Sequence, residues 1–369
     1  MHTSLMPLFE PLTFAHGPAL KNRFVLAPLT NLQSHTDGRL SDDEHRWLTM
    51  RAAGGFALTM SCAAHVQAIG QGFPGQLGIF SDTHLEGLSR LAKDIKQHDS
   101  LAVMQLHHAG MRSPEELIGG QPVAPSDDEE TGARALSTAE VGQLIEDFIA
   151  AAERAETAGF DGVELHGAHG YMLCQFLSGE SNRREDQYGG PLEHRARPLF
   201  NIIAGIRQRC RADFNIGVRL SPERFGMQLM DAVAVAQRLM TEAQIDYIDL
   251  SLWDAFKEPN EEDYQGRSLL SYFTKLERGN VRIGVAGKIR TPQDALSCLD
   301  AGADFVLLGR AAILHHDFPK LCAANNDFVP VSNPVSEDYL RSEGLGEAFV
   351  EYMGTWKGFV EQTPSSTKI

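Results

Sequence analysis

Eight short apolar runs alternate with longer segments in which apolar residues recur at helical spacing. The runs lie at 24–27, 56–60, 101–107, 215–220, 247–251, 282–286 and 303–308, with a further run that ends at Leu165. Strands that alternate with helices are typical of a parallel sheet. Eight such units predict an α/β protein with a (β/α)8 TIM barrel. The alternative is a doubly wound sheet, but no G-x-G-x-x-G segment follows an early strand, so the motif that would favour that fold is absent.

Hydroxyl residues mark where several helices begin. Ser41 and Glu44 have the spacing of a capping box, as do Ser137 and Glu140. Thr291 precedes a proline in the first turn of another predicted helix. These signals place helices between the predicted strands and support the alternating pattern.

The pattern also predicts how the chain is divided. Residues 8–20 read as a short hairpin before the first strand, and residues 1–326 as the barrel. Residues 327–369 read as a C-terminal tail that packs on the barrel or on a partner subunit. The long loops 108–135 and 253–270 are expected to decide which substrates are accepted, because long loops in compact domains are often functional.

Two histidines and a tyrosine directly follow the fourth run. His166, His169 and Tyr171 are separated only by small residues, which indicates a turn at the carboxyl end of a strand. If that turn opened a helix, the two histidines would share a face. Two imidazoles can donate hydrogen bonds to one developing anion, and a phenol can deliver a proton. The same residues could also be satisfied loop side chains or ligands of a metal.

Glycine followed by a cation ends the last two strands. Gly287-Lys288 and Gly309-Arg310 lie where TIM barrels commonly bind phosphate. Glycine lets the backbone approach a phosphate, and the helix that follows points its positive end there. The pattern favours a phosphate site, although both glycines could simply form tight turns.

Other strand ends fit a heterocyclic ring. Arg219 offers a fixed cation, Gln105 offers a donor and an acceptor, and Thr30 offers a hydroxyl. A phosphate, a ring edge and a cation for negative ring charge together describe a reduced flavin mononucleotide. Taken singly, each residue is as well explained by a salt bridge or by ordinary core hydrogen bonding.

The composition of the chain limits the classes of molecule that it is expected to bind. The chain has 369 residues and a formal net charge of -16, which argues against nucleic acid and against an anionic membrane surface. No apolar run is long enough for a transmembrane helix, and no signal peptide is evident. The cysteines are scattered, which fits a reducing cytoplasm and leaves no thiolate cluster for a metal. They lie at positions 62, 174, 210, 298 and 322.

Several segments, in this order, resemble the Old Yellow Enzyme family of FMN-dependent ene-reductases. The resemblance covers about residues 6–325, and its most specific parts are the His-x-x-His-x-Tyr and Asp-x-Tyr-Gly-Gly segments. The matching segments are 21–30, 105–110, 166–171, 175–178, 182–190 and the Gly309-Arg310 strand end.

The resemblance implies a role for each matching position. His166 and His169 would hold the carbonyl oxygen of a substrate, and Tyr171 would donate a proton. Thr30 would lie near the flavin O4, and Arg219 would face N1 and O2. The positions where the family binds FMN are Pro28, Thr30, Cys62, Gln105, Arg219, Gly287, Lys288, Gly309 and Arg310.

The chain also departs from the subclasses of that family. His169 matches the bacterial group, whereas Thr30 matches the yeast group, and His107 replaces the usual Trp or Ala. Tyr352 and Trp356 keep the spacing of a tail motif whose arginine reaches into the site of a partner, but Gly354 stands at the arginine position. The chain is therefore expected to act as a monomer or a homo-oligomer without a partner-supplied arginine.

The predicted activity is reduction of activated C=C bonds in α,β-unsaturated carbonyl or nitro compounds. NADH or NADPH would reduce FMN, and the substrate would then take the place of the nicotinamide. One alternative is another FMN barrel, such as a dihydroorotate or 2-hydroxy-acid oxidoreductase. Another is a flavin-free phosphate-binding barrel that acts as an aldolase, an isomerase or a binding protein.

Overall fold

A computed structural model describes residues 4–361 as a closed barrel of eight parallel strands. The strands are β1 (Phe24–Leu26), β2 (Leu58–Met60), β3 (Leu101–His107), β4 (Gly162–Gly167), β5 (Asn215–Leu220), β6 (Tyr247–Ser251), β7 (Arg282–Ala286) and β8 (Phe305–Leu308). Each strand pairs in parallel with its sequence neighbour, and β1 pairs with β8 to close the ring, with Val25 opposite Leu307. The predicted TIM barrel is confirmed.

Helices cover the outside of the barrel. They are α1 (Asp42–Ala53), α2 (Leu85–Lys96), α3 (Thr138–Thr157), α4 (Leu192–Arg209), α5 (Leu229–Thr241), α6 (Pro292–Asp300), α7 (Arg310–Leu314) and α8 (Phe318–Ala324). Between β6 and β7 lie a short 3-10 helix, Glu262–Tyr264, and a short α-helix, Ser271–Thr274. No helix within residues 4–361 combines the length and the apolar character needed to cross a membrane.

Of the two predicted capping boxes, the one at Ser137 is present, and Thr291, predicted only as a cap, also forms one. Ser137 with Glu140, and Thr291 with its partner three residues on, bond reciprocally at the starts of α3 and α6. Ser41 caps α1 by accepting from the Glu44 N–H. Glu44 does not return the bond, because its buried carboxylate accepts from Asn31 and from the Ser34 hydroxyl instead. The capping box predicted at Ser41 is therefore only half present.

The N-terminal hairpin is shorter than its sequence suggests. It consists of one antiparallel bridge between Leu12 and Leu20, which exchange both backbone hydrogen bonds. Leu12, Leu20 and Phe14 form an apolar cluster with residues at the amino ends of the strands. Phe14 lies 5.6 Å from the ring of Tyr247. The segment thus closes the floor of the barrel and leaves the opposite end free.

The tail packs on the barrel of its own chain. Its helices are α9 (Glu337–Ser342) and α10 (Glu347–Gly354). Phe349 meets Trp47 of α1 edge to face, with ring centroids 5.0 Å apart, and the Tyr339 hydroxyl donates to the Leu314 carbonyl. The same apolar core runs through the barrel and the tail. The division into two units at residue 326 stays a prediction.

Candidate active site

A cavity of about 510 Å³ lies at the carboxyl ends of the strands. Ten of the twelve predicted residues line it: Pro28, Thr30, Gln105, His169, Tyr171, Arg219, Gly287, Lys288, Gly309 and Arg310. The other two do not. Cys62 is buried outside the cavity lining, and burial raises the pKa of its thiol well above the usual range. His166 lies behind His169. A larger open depression between Asp37 and Arg90 carries none of the predicted residues.

One end of the cavity is suited to a phosphate. Arg310 is partly buried and forms no ion pair with any carboxylate within residues 4–361, and burial together with nearby Arg290 lowers its pKa. The guanidinium of Arg310, which lines the cavity without a carboxylate partner in the described chain, is suited to bind an anion. Gly287 has φ +147°, and a Cβ there would lie 2.9 Å from the backbone of Trp253. Only glycine therefore fits that turn without moving the neighbouring loop.

Lys288 fits the phosphate role less well than Arg310. Its ammonium group lies 2.9 Å from a carboxylate oxygen of Asp254, so its charge is already balanced. Lys288 itself has φ +53°, outside the region that side-chain-bearing residues usually adopt. Lys288 therefore lies in the cavity wall, where its ammonium group forms an ion pair with the loop that contains Asp254.

The other end of the cavity carries the polar groups predicted for a ring edge. Gln105 donates from Nε2 to the buried carboxylate of Glu164 at 2.8 Å. Arg219 lies on β5 with Nε 3.1 Å from Asp249 Oδ2, although the two atoms are not aligned as a hydrogen bond. Its Nη2 donates to the Ser251 hydroxyl at 3.3 Å. Both predicted ring contacts are thus held by buried acids that sequence reasoning did not single out.

The protonation of the two histidines follows from their contacts. His166 Nδ1 accepts from the Ala168 backbone N–H, so its proton is on Nε2. That nitrogen lies 3.3 Å from His169 Nδ1, which must therefore accept. His169 then carries its proton on Nε2, 2.8 Å from the Ser251 hydroxyl. Burial lowers the pKa of both imidazoles and keeps them neutral.

The histidines are brought together by a turn and not by a helix face. His166 belongs to β4, whereas His169 sits in the turn with φ +60° and donates its backbone N–H to the Ser221 hydroxyl. The next helix, Met172–Leu177, begins only after Tyr171. The turn does not open a helix that contains both histidines, because β4 continues to Gly167, so the pair does not share a helical face.

Tyr171 lies between imidazoles and a guanidinium. Its ring centroid is 4.3 Å from that of His107 and 5.1 Å from that of His166, both in edge-to-face contact. The Arg112 guanidinium carbon lies 4.6 Å from its ring centroid. Burial raises the pKa of the phenol, and the charge of Arg112 opposes that rise. The phenol is thus kept protonated at neutral pH beside a cation that stabilises its anion.

The profile of the NADH:flavin oxidoreductase / NADH oxidase family matches residues 7–326. The chain belongs to this family. It is an Old Yellow Enzyme homologue, an oxidoreductase with FMN as cofactor and NADH or NADPH as electron donor. The cavity fits that cofactor, since it has Arg310, which forms no ion pair with a carboxylate in the described chain, at one end and Gln105 with Arg219 at the other.

Three relatives show how far the similarity extends. The "Probable NADH-dependent flavin oxidoreductase" of Bacillus subtilis is 33% identical over 325 residues, which cover 85% of this chain and 87% of the relative. The NADH:acrylate oxidoreductase of Vibrio harveyi is 34% identical over 92% of this chain, which spans only 37% of that longer protein. The Old Yellow Enzyme homologue of Zymomonas mobilis has a TM-score of 0.79 at 26% identity, covering 94% of this chain and 99% of that one.

The wall of this flavoenzyme includes residues whose role the sequence did not reveal. Tyr352 and Trp356 of the tail line the cavity of their own chain, although their spacing had suggested a motif that serves a partner. The position of Gly354 opens to empty space. Ser251 ends a strand, but its contact with His169 could not be read from spacing. Glu164 and Asp249 could have been singled out from the sequence, since each is an acid inside an apolar strand.

Strained backbone is concentrated around this cavity. Seven non-glycine residues in the described part of the chain have positive φ, and three of them, His169, Trp253 and Lys288, line the cavity. Arg224 and Phe225 line a small adjoining cavity that also touches His169. Such strain persists only where surrounding contacts enforce it, and it is common at functional sites. The loops around the site are therefore held in defined conformations.

Proposed function

We propose that the enzyme reduces activated C=C bonds of α,β-unsaturated carbonyl or nitro compounds with electrons from NADH or NADPH. One observation carries the proposal: the Tyr171 phenol and the His169 imidazole face the same cavity as Arg219 and Arg310. A proton donor and a hydrogen-bond donor thus stand beside a site suited to FMN. The relative named an NADH:acrylate oxidoreductase supports an activated alkene as substrate.

Each cavity residue has a distinct task in binding the cofactor. Arg310 and the backbone at Gly309 and Gly287 would hold the phosphate of FMN. Gln105, Arg219 and Thr30 would hold the ring edge, with Pro28 in the wall and Cys62 buried outside the cavity lining. Bound in this way, FMN supplies the hydride, and the protein supplies position, charge and a proton.

The histidine pair would hold the oxygen of the substrate. His169 lines the cavity, and its Nε2–H donates to the Ser251 hydroxyl. Exchange of that partner for a carbonyl or nitro oxygen would polarise the substrate as an oxyanion donor does. His166 would support this donor through its hydrogen bond to His169 Nδ1. Its own Nε2–H could reach the substrate only after the two rings separate.

Tyr171 would deliver the proton to the α-carbon. Its phenol is protonated at neutral pH and lines the cavity. The electron balance is simple: the hydride adds to the β-carbon, the π electrons move toward the carbonyl oxygen, and a proton completes the C–H bond at the α-carbon. The phenolate left behind is reprotonated from water.

The test compares electron acceptors with a single preparation of the protein. The purified protein is expected to contain FMN and to be reduced by NADH or NADPH without oxygen. Rapid reoxidation by a cyclic enone or a nitroalkene, with none by orotate or a 2-oxo acid, is the expected result. The opposite preference would assign the chain to another flavin barrel, and a colourless protein that binds no added FMN would refute the proposal.

A further inference from the structure

Two carboxyl groups and one cation are enclosed inside the barrel directly behind the predicted ring-binding residues. Glu164 and Asp249 have no exposed surface, and Arg219 is almost fully buried. Strand pairing brings them together: Glu164 is opposite Gly217 on β5, and Arg219 is opposite Asp249 on β6. All three side chains therefore occupy the interior of the barrel at neighbouring positions.

The hydrogen bonds of these acids are incomplete. Glu164 Oε1 accepts from Gln105 and the Tyr247 phenol interacts with the same carboxyl group, but Oε2 lacks an aligned donor, and neither oxygen of Asp249 accepts an aligned hydrogen bond. The phenol of Tyr247 faces Glu164 across Gly217, where a Cβ would overlap the Tyr247 ring. Buried carboxylates without donors are costly, so this arrangement indicates that the pair is not fully ionised.

The charges around the pair lead to the same conclusion. One guanidinium, that of Arg219, can balance one carboxylate, and a second buried negative charge would be unpaired. Burial and the charge of Asp249 raise the pKa of Glu164, and burial raises that of Asp249 against the effect of Arg219. When two carboxyls share a site in this way, they titrate as a pair.

The other titratable groups nearby do not supply the missing charge. Tyr247 is a phenol whose pKa burial raises well above its usual range, and His166 and His169 are kept neutral by burial. Asp246 acts on Tyr247 from the opposite end of the barrel, where it pairs with Arg207. Arg219 is thus the cation that faces both acids within residues 4–361.

We propose that Glu164 and Asp249 share one proton in the oxidised enzyme and take up a second proton when the flavin is reduced. The proposal rests on the proposed function in one respect, that Gln105 and Arg219 hold the flavin ring. Reduction brings negative charge to that ring, and Arg219 can balance either the ring or Asp249. The carboxylate that loses its cation binds a proton.

The balance of the step is complete. NADH or NADPH transfers a hydride to the flavin and leaves as the oxidised nucleotide. A proton from water forms an O–H bond on the remaining carboxylate of the pair, and no electron reaches that carboxyl. Glu164 and Asp249 are positioning residues, because they act through Gln105 and Arg219. They keep the buried layer behind the ring from gaining net negative charge.

The test measures the midpoint potential of the flavin in the holoenzyme between about pH 6 and pH 9. For a two-electron couple, a tenfold change in one bound ligand shifts the potential by about 30 mV. Uptake of one proton by the ring therefore gives about 30 mV per pH unit, and a second proton on the carboxyl pair gives about 59 mV. The wild type is expected to show the steeper slope over part of this range.

Glu164→Gln combined with Asp249→Asn should reduce the slope to the one-proton value, because no carboxyl group then remains behind the ring to take up the second proton. Glu223→Gln is the matched control, since Glu223 is also buried near the site but pairs with Lys257, and it should keep the wild-type slope. A one-proton slope in the wild type, or a two-proton slope retained in the variant that lacks both carboxyl groups, would overturn the proposal.

A second measurement needs no variant. Infrared difference spectra of the wild-type holoenzyme on reduction should show a new carbonyl band of a protonated carboxylic acid, shifted in D2O. Absence of the band refutes the uptake even if the variant that lacks both carboxyl groups fails to fold. A failure of this proposal can be distinguished from a failure of the proposed function. Flavin content and enone turnover test the function, whereas the slope of the midpoint potential and the infrared band test the carboxyl pair.

Discussion

The guanidinium carbon of Arg112 lies 4.6 Å from the centre of the Tyr171 ring, and the same side chain donates to the backbone carbonyl of His169. A cation over an aromatic face is worth about 0.5–2 kcal/mol. If Tyr171 is the acid, this cation favours the phenolate that forms when the proton leaves. Arg112 therefore links the backbone of one proposed site residue to the acidity of another.

Arg112→Gln should raise the pKa of Tyr171 further and slow enone reduction by the reduced enzyme. The interaction energy corresponds to roughly 2–30-fold. Arg112→Lys keeps the charge and should lose less. Ultraviolet titration of the phenol, with Tyr171→Phe as the blank, measures the pKa directly. An unchanged titration would mean that Arg112 only anchors the turn at His169.

The imidazole pair predicts how phenols bind. Replacement of both His166 and His169 by alanine should abolish tight binding of a phenol and its long-wavelength charge-transfer band, because the donors to the phenolate oxygen are lost. Ser251→Ala is the control: it frees His169 Nε2–H from its partner and should leave phenol binding intact. Titration of the oxidised holoenzyme measures both. A double variant that binds phenol like the wild type would remove the pair from the oxyanion site.

The two cations at the phosphate end of the cavity differ in whether a carboxylate already balances their charge. Arg310→Ala should weaken FMN retention, because its guanidinium is not paired with a carboxylate in the described chain. Lys288→Ala should have a smaller effect, because Asp254 already balances that charge. Flavin content after extended dialysis, with Kd from fluorescence quenching, compares the two. Equal losses would mean that Lys288 leaves Asp254 to bind the phosphate.

The sequence was sufficient for the barrel and for the residues at its open end. Parallel strands place their carboxyl ends at one end of the barrel, so the sequence alone predicts that Arg219 and Gly309-Arg310 lie at that end. The direction in which His169 points could not be predicted. It depends on a positive φ that the Ser221 hydroxyl supports from 52 residues away.

The buried acids illustrate a second limit. Glu164 interrupts an apolar strand, but its partners come from two other strands, and the register that aligns them is set only when the barrel closes. Tyr352 likewise reaches the cavity through packing of the tail on α1. Spacing along the chain carries no information about such contacts, since they depend on tertiary packing.

His108 predicts how stability depends on pH. Its Nδ1 accepts from the Gly110 N–H, and its Nε2 lies 3.0 Å from the side-chain oxygen Oε1 of Gln67. Because Nδ1 accepts a hydrogen bond, the imidazole is neutral in the folded protein. Burial lowers its pKa to about 3 from the usual 6.5. The unfolded chain therefore binds the extra proton between these values, and stability is lost as the pH falls below about 6.5.

In this range His108 contributes a loss of about 1.4 kcal/mol per pH unit. His108→Gln should flatten the pH dependence of the free energy of unfolding by up to that amount between pH 6 and pH 4. His98→Gln, at an exposed position, is the control and should leave the slope unchanged. Urea unfolding at several pH values gives the measurement, and equal slopes for wild type and His108→Gln would contradict the assignment.

Tyr171→Phe tests the proposed acid most directly, because it keeps the ring that contacts His107 and Arg112 and removes only the hydroxyl group that would donate the proton. FMN content and reduction by NADH or NADPH should be nearly normal, since that step needs no acid from the protein. Transfer to a cyclic enone should slow by roughly 10²–10⁴-fold, the usual range for loss of a positioned acid.

A nitroalkene separates the two roles open to Tyr171. Its nitronate product is stable without immediate protonation, so hydride delivery can finish before a proton arrives from water. The variant should therefore reduce a nitroalkene at nearly the wild-type rate. If Tyr171 only shaped the cavity, both acceptors would slow together and KM would rise for each. Stopped-flow reoxidation of the reduced variant by the two acceptors decides the matter, and equal slowing would exclude Tyr171 as the proton donor.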